Sequence, residues 1–225
     1  MSIALLLQLA DGRFPAGGHA HSNGTEPACS IGDVVDIASL SRYVEGRLGT
    51  SGRVDAAFAA AACAAAGADR TSWRRLDDEL AARTLSPALR RAGRTLGRQM
   101  LRAGERVWPS PVYLAVRAAS PEGPFQPVAL GAVAAAAGMT PTDAASCALH
   151  HLLTSITSAA VRLLGLDPFE IARVNASFAA RLDEIAAEAT VSASGPPEDL
   201  PADVGLLLDV LAEDHTRWDV RLFSS

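Results

Sequence analysis

Two stretches of the chain, residues 54–67 and 128–138, consist mainly of alanine, with Phe58 and Cys63 interrupting the first. Alanine is the strongest helix former, and a helix faced with methyl groups lets its neighbours approach closely on most sides. Both stretches are therefore expected to be central helices. The rest of the chain agrees: 45 of 225 residues are alanine, against two Tyr, three Trp and six Phe, so the aromatic residues that favour strands are scarce. An all-β fold does not fit this sequence. The expected class is all-α, a bundle of layered helices.

Periodicity places the other helices. Val34, Ile37, Leu40, Val44 and Leu48 recur at spacings of three and four, an amphipathic stripe over residues 33–48. Thr71 or Ser72 is suited to cap a helix running to residue 82. Residues 87–106 carry Leu89, Leu96, Met100 and Leu101 on one side and Arg90, Arg94, Arg98 and Arg102, four apart, on another. Thr140, Pro141 and Asp143 form a start signal for a helix reaching Leu164, and Asp167, Pro168 and Glu170 repeat it for one reaching residue 189. A short buried helix over 3–10 and a last helix over 203–214 complete the set. Residues 11–32 read as a long ordered loop. Residues 109–127, with five prolines, read as an irregular connection in which 112–118 are extended. The sum is eight or nine helices in one domain over residues 1–225, ending in a docking tail over 215–225.

Charge and cysteine use narrow the function. All 20 positive charges are Arg, the formal net charge is −5 and the pI is near 5.5, which argues against a general nucleic-acid binder. With no Lys, a P-loop nucleotide hydrolase is excluded. Cys29, Cys63 and Cys147 form neither a Cys-x-x-Cys pair nor a disulfide framework. The apolar runs are about a dozen residues long, short of the roughly 20 that span a bilayer. A reduced, cytoplasmic protein is expected.

A catalytic constellation is hard to assemble. His19 and His21 are a His-x-His pair that would need Glu26, Cys29 or a second subunit to complete a metal site; otherwise each imidazole bonds the loop backbone. Gly17 and Gly18 suit positive torsions or close helix approach. Cys147 and His151, four apart, have helical spacing for a dyad but no visible third group. The arginine line needs acidic partners, either Asp77, Asp78 and Glu79 of the preceding helix or another protein. The terminus is the most informative segment. Trp218, Val220, Leu222 and Phe223 alternate with Arg217, Asp219 and Arg221 where chains are usually polar. Such a tail docks either on its own domain or on a partner, and Trp and Arg are the residues that most often anchor interfaces.

Residues 5–26, a short apolar helix followed by Pro15-Ala-Gly-Gly18 and Ser22-Asn-Gly-Thr-Glu26, resemble the opening of the urease accessory protein UreF family. The segments 90–101 and 158–164 and the ending Arg221-Leu-Phe-Ser-Ser225 resemble later motifs of that family, in the same order. The resemblance implies an all-α homodimer without enzymatic activity of its own; no cofactor is expected, and charge and the short apolar runs argue against nucleic-acid and membrane partners. It implies binding to a UreD-type (UreH-type) accessory protein, recruitment of the nickel-binding GTPase UreG, and delivery of nickel to apo-urease. On this reading Arg217, Trp218, Arg221, Leu222, Phe223 and Ser225 engage the UreD-type partner. The loop residues Gly17, Gly18, His19, His21 and Glu26, with Arg90, Arg94 and Arg98, face the GTPase. The alternatives are a direct nickel chaperone or a metal-dependent hydrolase built on His19 and His21. His19, Ala20 and His21 stand where the family usually has aromatic and Ser-Tyr residues.

Overall fold

A computed structural model describes residues 2–203 and 205–224. Among them are twelve α-helices and no strand. The first four are α1 (Ile3–Ala10), α2 (Thr25–Ser30), α3 (Ile37–Arg47) and α4 (Arg53–Ala64); α5 (Arg70–Arg83), α6 (Pro87–Val107), α7 (Val112–Ala119) and α8 (Gln126–Ala136) follow. The last four are α9 (Pro141–Leu164), α10 (Pro168–Ser177), α11 (Ala179–Ser192) and α12 (Leu206–His215).

The alanine runs form the centre, as expected. Positions 56–63 of α4 and 127–134 of α8 are all buried, and α4 packs against α8, α9 and α11 while α6 covers α8. The approach is close enough that Gly131 has no room for a side chain: a Cβ there would lie 2.3 Å from the Ala59 carbonyl oxygen and 2.6 Å from the Ala62 Cβ. One continuous apolar cluster runs from Leu9 to Leu200. The start signal at Thr140 is present as a reciprocal capping box with Asp143, and Gly165 ends α9 in the left-handed region. By length and composition alone α9 is long and apolar enough to cross a bilayer, which no uninterrupted run in the sequence suggests. Here its apolar face lies against α4, α8 and α11, as a core helix does.

Several expectations need correction. The helix count exceeds eight or nine for three local reasons. Residues 112–119 are helical rather than extended, since Val112, Tyr113, Val116 and Ala119 share one buried face and the prolines stand outside the helix. The helix from Asp167 divides at Phe178, where the buried stripe Ile171–Val174–Phe178 gives way to Ile185–Ala186–Ala189. Within residues 11–32 lie α2 and a single 3-10 turn, Gly18–Ala20. In addition, α1 is helical but mostly exposed, burying only Leu9, and Asp69 rather than Thr71 or Ser72 caps α5.

Polar clamps fix the connections. Buried Asp77 on α5 accepts the Phe125 N–H at 2.8 Å and Arg94 Nη1 at 2.9 Å, strapping the proline-rich segment to α5 and α6. Arg94 also donates to the Gly123 carbonyl at 2.5 Å and lies 4.5 Å from the Phe125 ring centroid. Helix α12 is held to the start of α6 by carboxylates: Asp209 accepts the Ser86 N–H at 2.8 Å and Glu213 accepts the Ala88 N–H at 2.7 Å.

Candidate functional site

The loop, α2, the end of α12 and the tail meet at one carboxylate. Asn23 and Gly24 both take positive φ, 50° and 81°, the left-handed geometry Asn and Gly tolerate best, and this turn starts α2. Glu26 falls in the first helical turn, where the helix dipole favours a negative charge. It is buried, and burying a carboxylate is costly unless it is hydrogen-bonded. The tail supplies two of the donors: Leu222 N–H to Oε1 at 2.8 Å and Phe223 N–H to Oε2 at 3.1 Å. The buried His215 supplies the third, Nε2 lying 2.9 Å from Oε2.

Neighbouring contacts complete this latch. The Ser224 N–H donates to the Ala20 carbonyl at 2.8 Å, and the Arg162 guanidinium of α9 lies 4.3 Å from the Phe223 ring centroid. The Trp218 ring meets His215 edge-on at 4.8 Å between centroids, and its indole N–H donates to Asp214 at 3.0 Å. Phe223 is 4% exposed, whereas Val220 is 86% and Leu222 62% exposed, and Arg217 and Arg221 are exposed too. The tail thus divides by residue. Its last aromatic, Phe223, anchors on its own domain, and the side chains of residues 219–222 face out. Ser225 lies outside the described residues.

The loop residues have separate environments. Gly17, at φ 81°, passes so near α6 that a Cβ would lie 1.6 Å from Gln99 Oε1, whereas Gly18 faces open space. His19 is exposed, and its carbonyl accepts from Arg162 at 3.5 Å. His21 is buried, its carbonyl accepting the Ser155 hydroxyl at 3.1 Å, and burial holds its imidazole below the ordinary histidine range. Glu26 is committed to the tail, so it does not complete a site with these histidines. Among the described residues no group of three or more His, Cys, Asp or Glu is arranged to hold a metal.

The Cys147–His151 dyad does not form a reactive pair. Burial pushes the Cys147 thiol up to about 12, and His151, pushed down to about 4 by burial, donates from Nε2 to the Leu9 carbonyl at 2.9 Å. His151 is therefore a tie between α9 and α1. Beneath the loop lies a cavity of about 350 Å3 whose lining includes Phe14, His21, Asp55, His150, His151 and Arg162. Burial raises Asp55 to about 7, against the opposing pull of Arg47. Sequence reasoning missed Asp55; its signal was a lone carboxylate inside an alanine helix.

The arginine line is divided. Arg90 donates to the Thr84 carbonyl at 2.6 Å, Arg98 to the Glu122 carbonyl at 2.6 Å and the Thr95 hydroxyl at 2.9 Å, and Arg94 pairs with Asp77. Of the two partners expected for this face, the preceding helix supplies the one for Arg94. Arg91 and Arg102 are exposed.

Comparison with known proteins places this geometry in a family. The UreF family profile matches residues 34–179. The urease accessory protein UreF of Mycobacterium sp. (strain JLS) is 40% identical over 228 residues, covering 100% of this chain and 99% of that protein. The protein of the same name from Mycolicibacterium vanbaalenii is 39% identical over 229 residues, with 100% and 99% covered. That from Mycobacterium tuberculosis H37Rv is 36% identical over 218 residues, with 95% and 94% covered. The first two of these matches extend across the loop and the tail as well as the profiled core, and the chain belongs to the UreF family of urease accessory proteins, not to an enzyme family.

Proposed function

We propose that this chain acts in the cytoplasm as a homodimeric scaffold in urease maturation, joining a UreD-type (UreH-type) partner to the GTPase UreG so that nickel, the cargo, reaches apo-urease. The observation that carries this reading is the divided tail. Phe223 is buried and its backbone held by Glu26, while Arg217, Val220, Arg221 and Leu222 are presented to solvent. An exposed apolar and arginine surface on a fixed backbone is suited to partner binding, because ordering it on association costs little further entropy. The loop residues Gly17, Gly18 and His19 border the same face and extend it toward UreG. Arg90, Arg94 and Arg98 contribute mainly by shaping α6 and its strap.

The nickel-chaperone and metal-hydrolase readings receive no support from the geometry, because Glu26 is occupied by His215 and the tail, and among the described residues no group of three or more His, Cys, Asp or Glu is arranged to hold a metal. Deleting residues 217–225 from the full chain is expected to abolish co-purification with the UreD-type protein and to leave helical circular dichroism unchanged. Retained co-purification contradicts the tail assignment.

A further inference from the structure

Beside the Glu26 latch, the loop, α6, α12 and the tail enclose a groove of about 560 Å3. Its lining includes Arg91, Thr95 and Gln99 of α6, Arg221 of the tail and His19 of the loop, and no aspartate or glutamate. That is notable in a chain whose formal net charge is −5. Of the carboxylates on the flanking elements, Glu26 is engaged by His215 and the tail, Asp214 by Trp218, and Glu213 by Ser86 and Ala88, with Arg91 near enough to help hold it below its ordinary range, while Asp219 of the tail is exposed. Among the described residues neither Arg91 nor Arg221 has a carboxylate within ion-pair distance.

We propose that this groove binds an acidic, extended segment of a partner protein. Arg91 and Arg221, one on each wall, take its carboxylates, and the amide of Gln99 and hydroxyl of Thr95 take its backbone. Guanidinium groups suit this task because their donors form a planar fork that matches a carboxylate. The inference rests on the reading that tail and loop face a partner, and it adds that partner's chemistry.

The test uses the full chain and two labelled peptides of equal length, one rich in glutamate and one with glutamine in its place, followed by fluorescence anisotropy. The glutamate peptide is expected to bind, more weakly as salt rises, since exposed charges are screened. Arg91→Glu is expected to weaken it at least about tenfold, and Arg91→Gln by less, in keeping with charge pairing across an interface. No binding of the glutamate peptide, equal binding of the glutamine peptide, or an unchanged affinity in Arg91→Glu overturns the proposal. So does tighter binding of a short oligonucleotide. The scaffold reading is judged separately. If the peptide assay fails while tail deletion still abolishes co-purification with the UreD-type protein, only the groove is wrong. If co-purification survives tail deletion, the scaffold reading fails first.

Discussion

The α4–α8 contact and the Glu26 latch hold the chain together by opposite means. At the first, two alanine-rich helices meet with almost no side chain between them, so the interaction is close packing along their length. At the second, one carboxylate gathers two backbone N–H groups and an imidazole from residues about 190 positions away. The core contact is extended and apolar, the latch small and polar. Breaking the first should unfold the protein. Breaking the second should release a segment and leave the rest standing, the behaviour of a part used for recognition.

Gly131→Val is the most damaging change expected. Its side chain would collide with the Ala59 backbone and the Ala62 methyl, neither of which can move alone, so a loss of about 3 kcal/mol or more, or failure to fold, is expected in urea denaturation. A loss below about 1 kcal/mol would show that α4 and α8 separate easily, removing the contrast with the latch. Glu26→Ala comes next. It leaves two tail N–H groups and His215 without their acceptor, at a cost of about 1–3 kcal/mol. Hydrogen exchange should accelerate at residues 222–224 and stay unchanged in α4 and α8; equal acceleration in both would make the latch part of the core.

Most of the core was legible in the sequence, and the latch was not. Alanine runs, the stripe from Val34 to Leu48 and the Thr140–Asp143 cap are local signals, set by spacing within one helix. Where local signals conflicted, the reading failed: five prolines around residues 109–127 concealed the amphipathic pattern of α7. Glu26 was legible only as the end of a motif and a conceivable metal ligand, because its partners, His215, Leu222 and Phe223, lie at the far end of the chain. Own-domain docking and partner docking were alternatives for the whole tail; the structure assigns Phe223 to the first and leaves its exposed neighbours available for the second.

Two groups, Asp55 and His151, give the core a pH signature. Asp55, raised to about 7, favours folding when protonated, so its contribution is lost as pH rises from about 4 through 7. His151, lowered to about 4, favours folding when neutral, so its contribution is lost as pH falls from 6.5 through 4. The two slopes oppose one another between pH 4 and 6.5. Asp55→Asn should therefore gain stability relative to the parent as pH rises from 5 to 8, by at most about 1.4 kcal/mol per unit, and expose the acid sensitivity due to His151. A stability difference independent of pH in urea titrations would contradict this account. The smallest effect is expected at Val220→Ser, within about 0.5 kcal/mol of the parent because the side chain is 86% exposed, while affinity for the UreD-type partner falls.

The most direct test of the latch as the organiser of a recognition surface is the affinity of Glu26→Gln for the UreD-type protein, measured by calorimetry beside the parent chain. Gln keeps the size of Glu26 but offers one acceptor oxygen without charge to three donors. The expected result is binding at least about tenfold weaker, with helical circular dichroism unchanged. An affinity equal to that of the parent would contradict the account, because partner binding would then not require the tail to be held where Glu26 holds it.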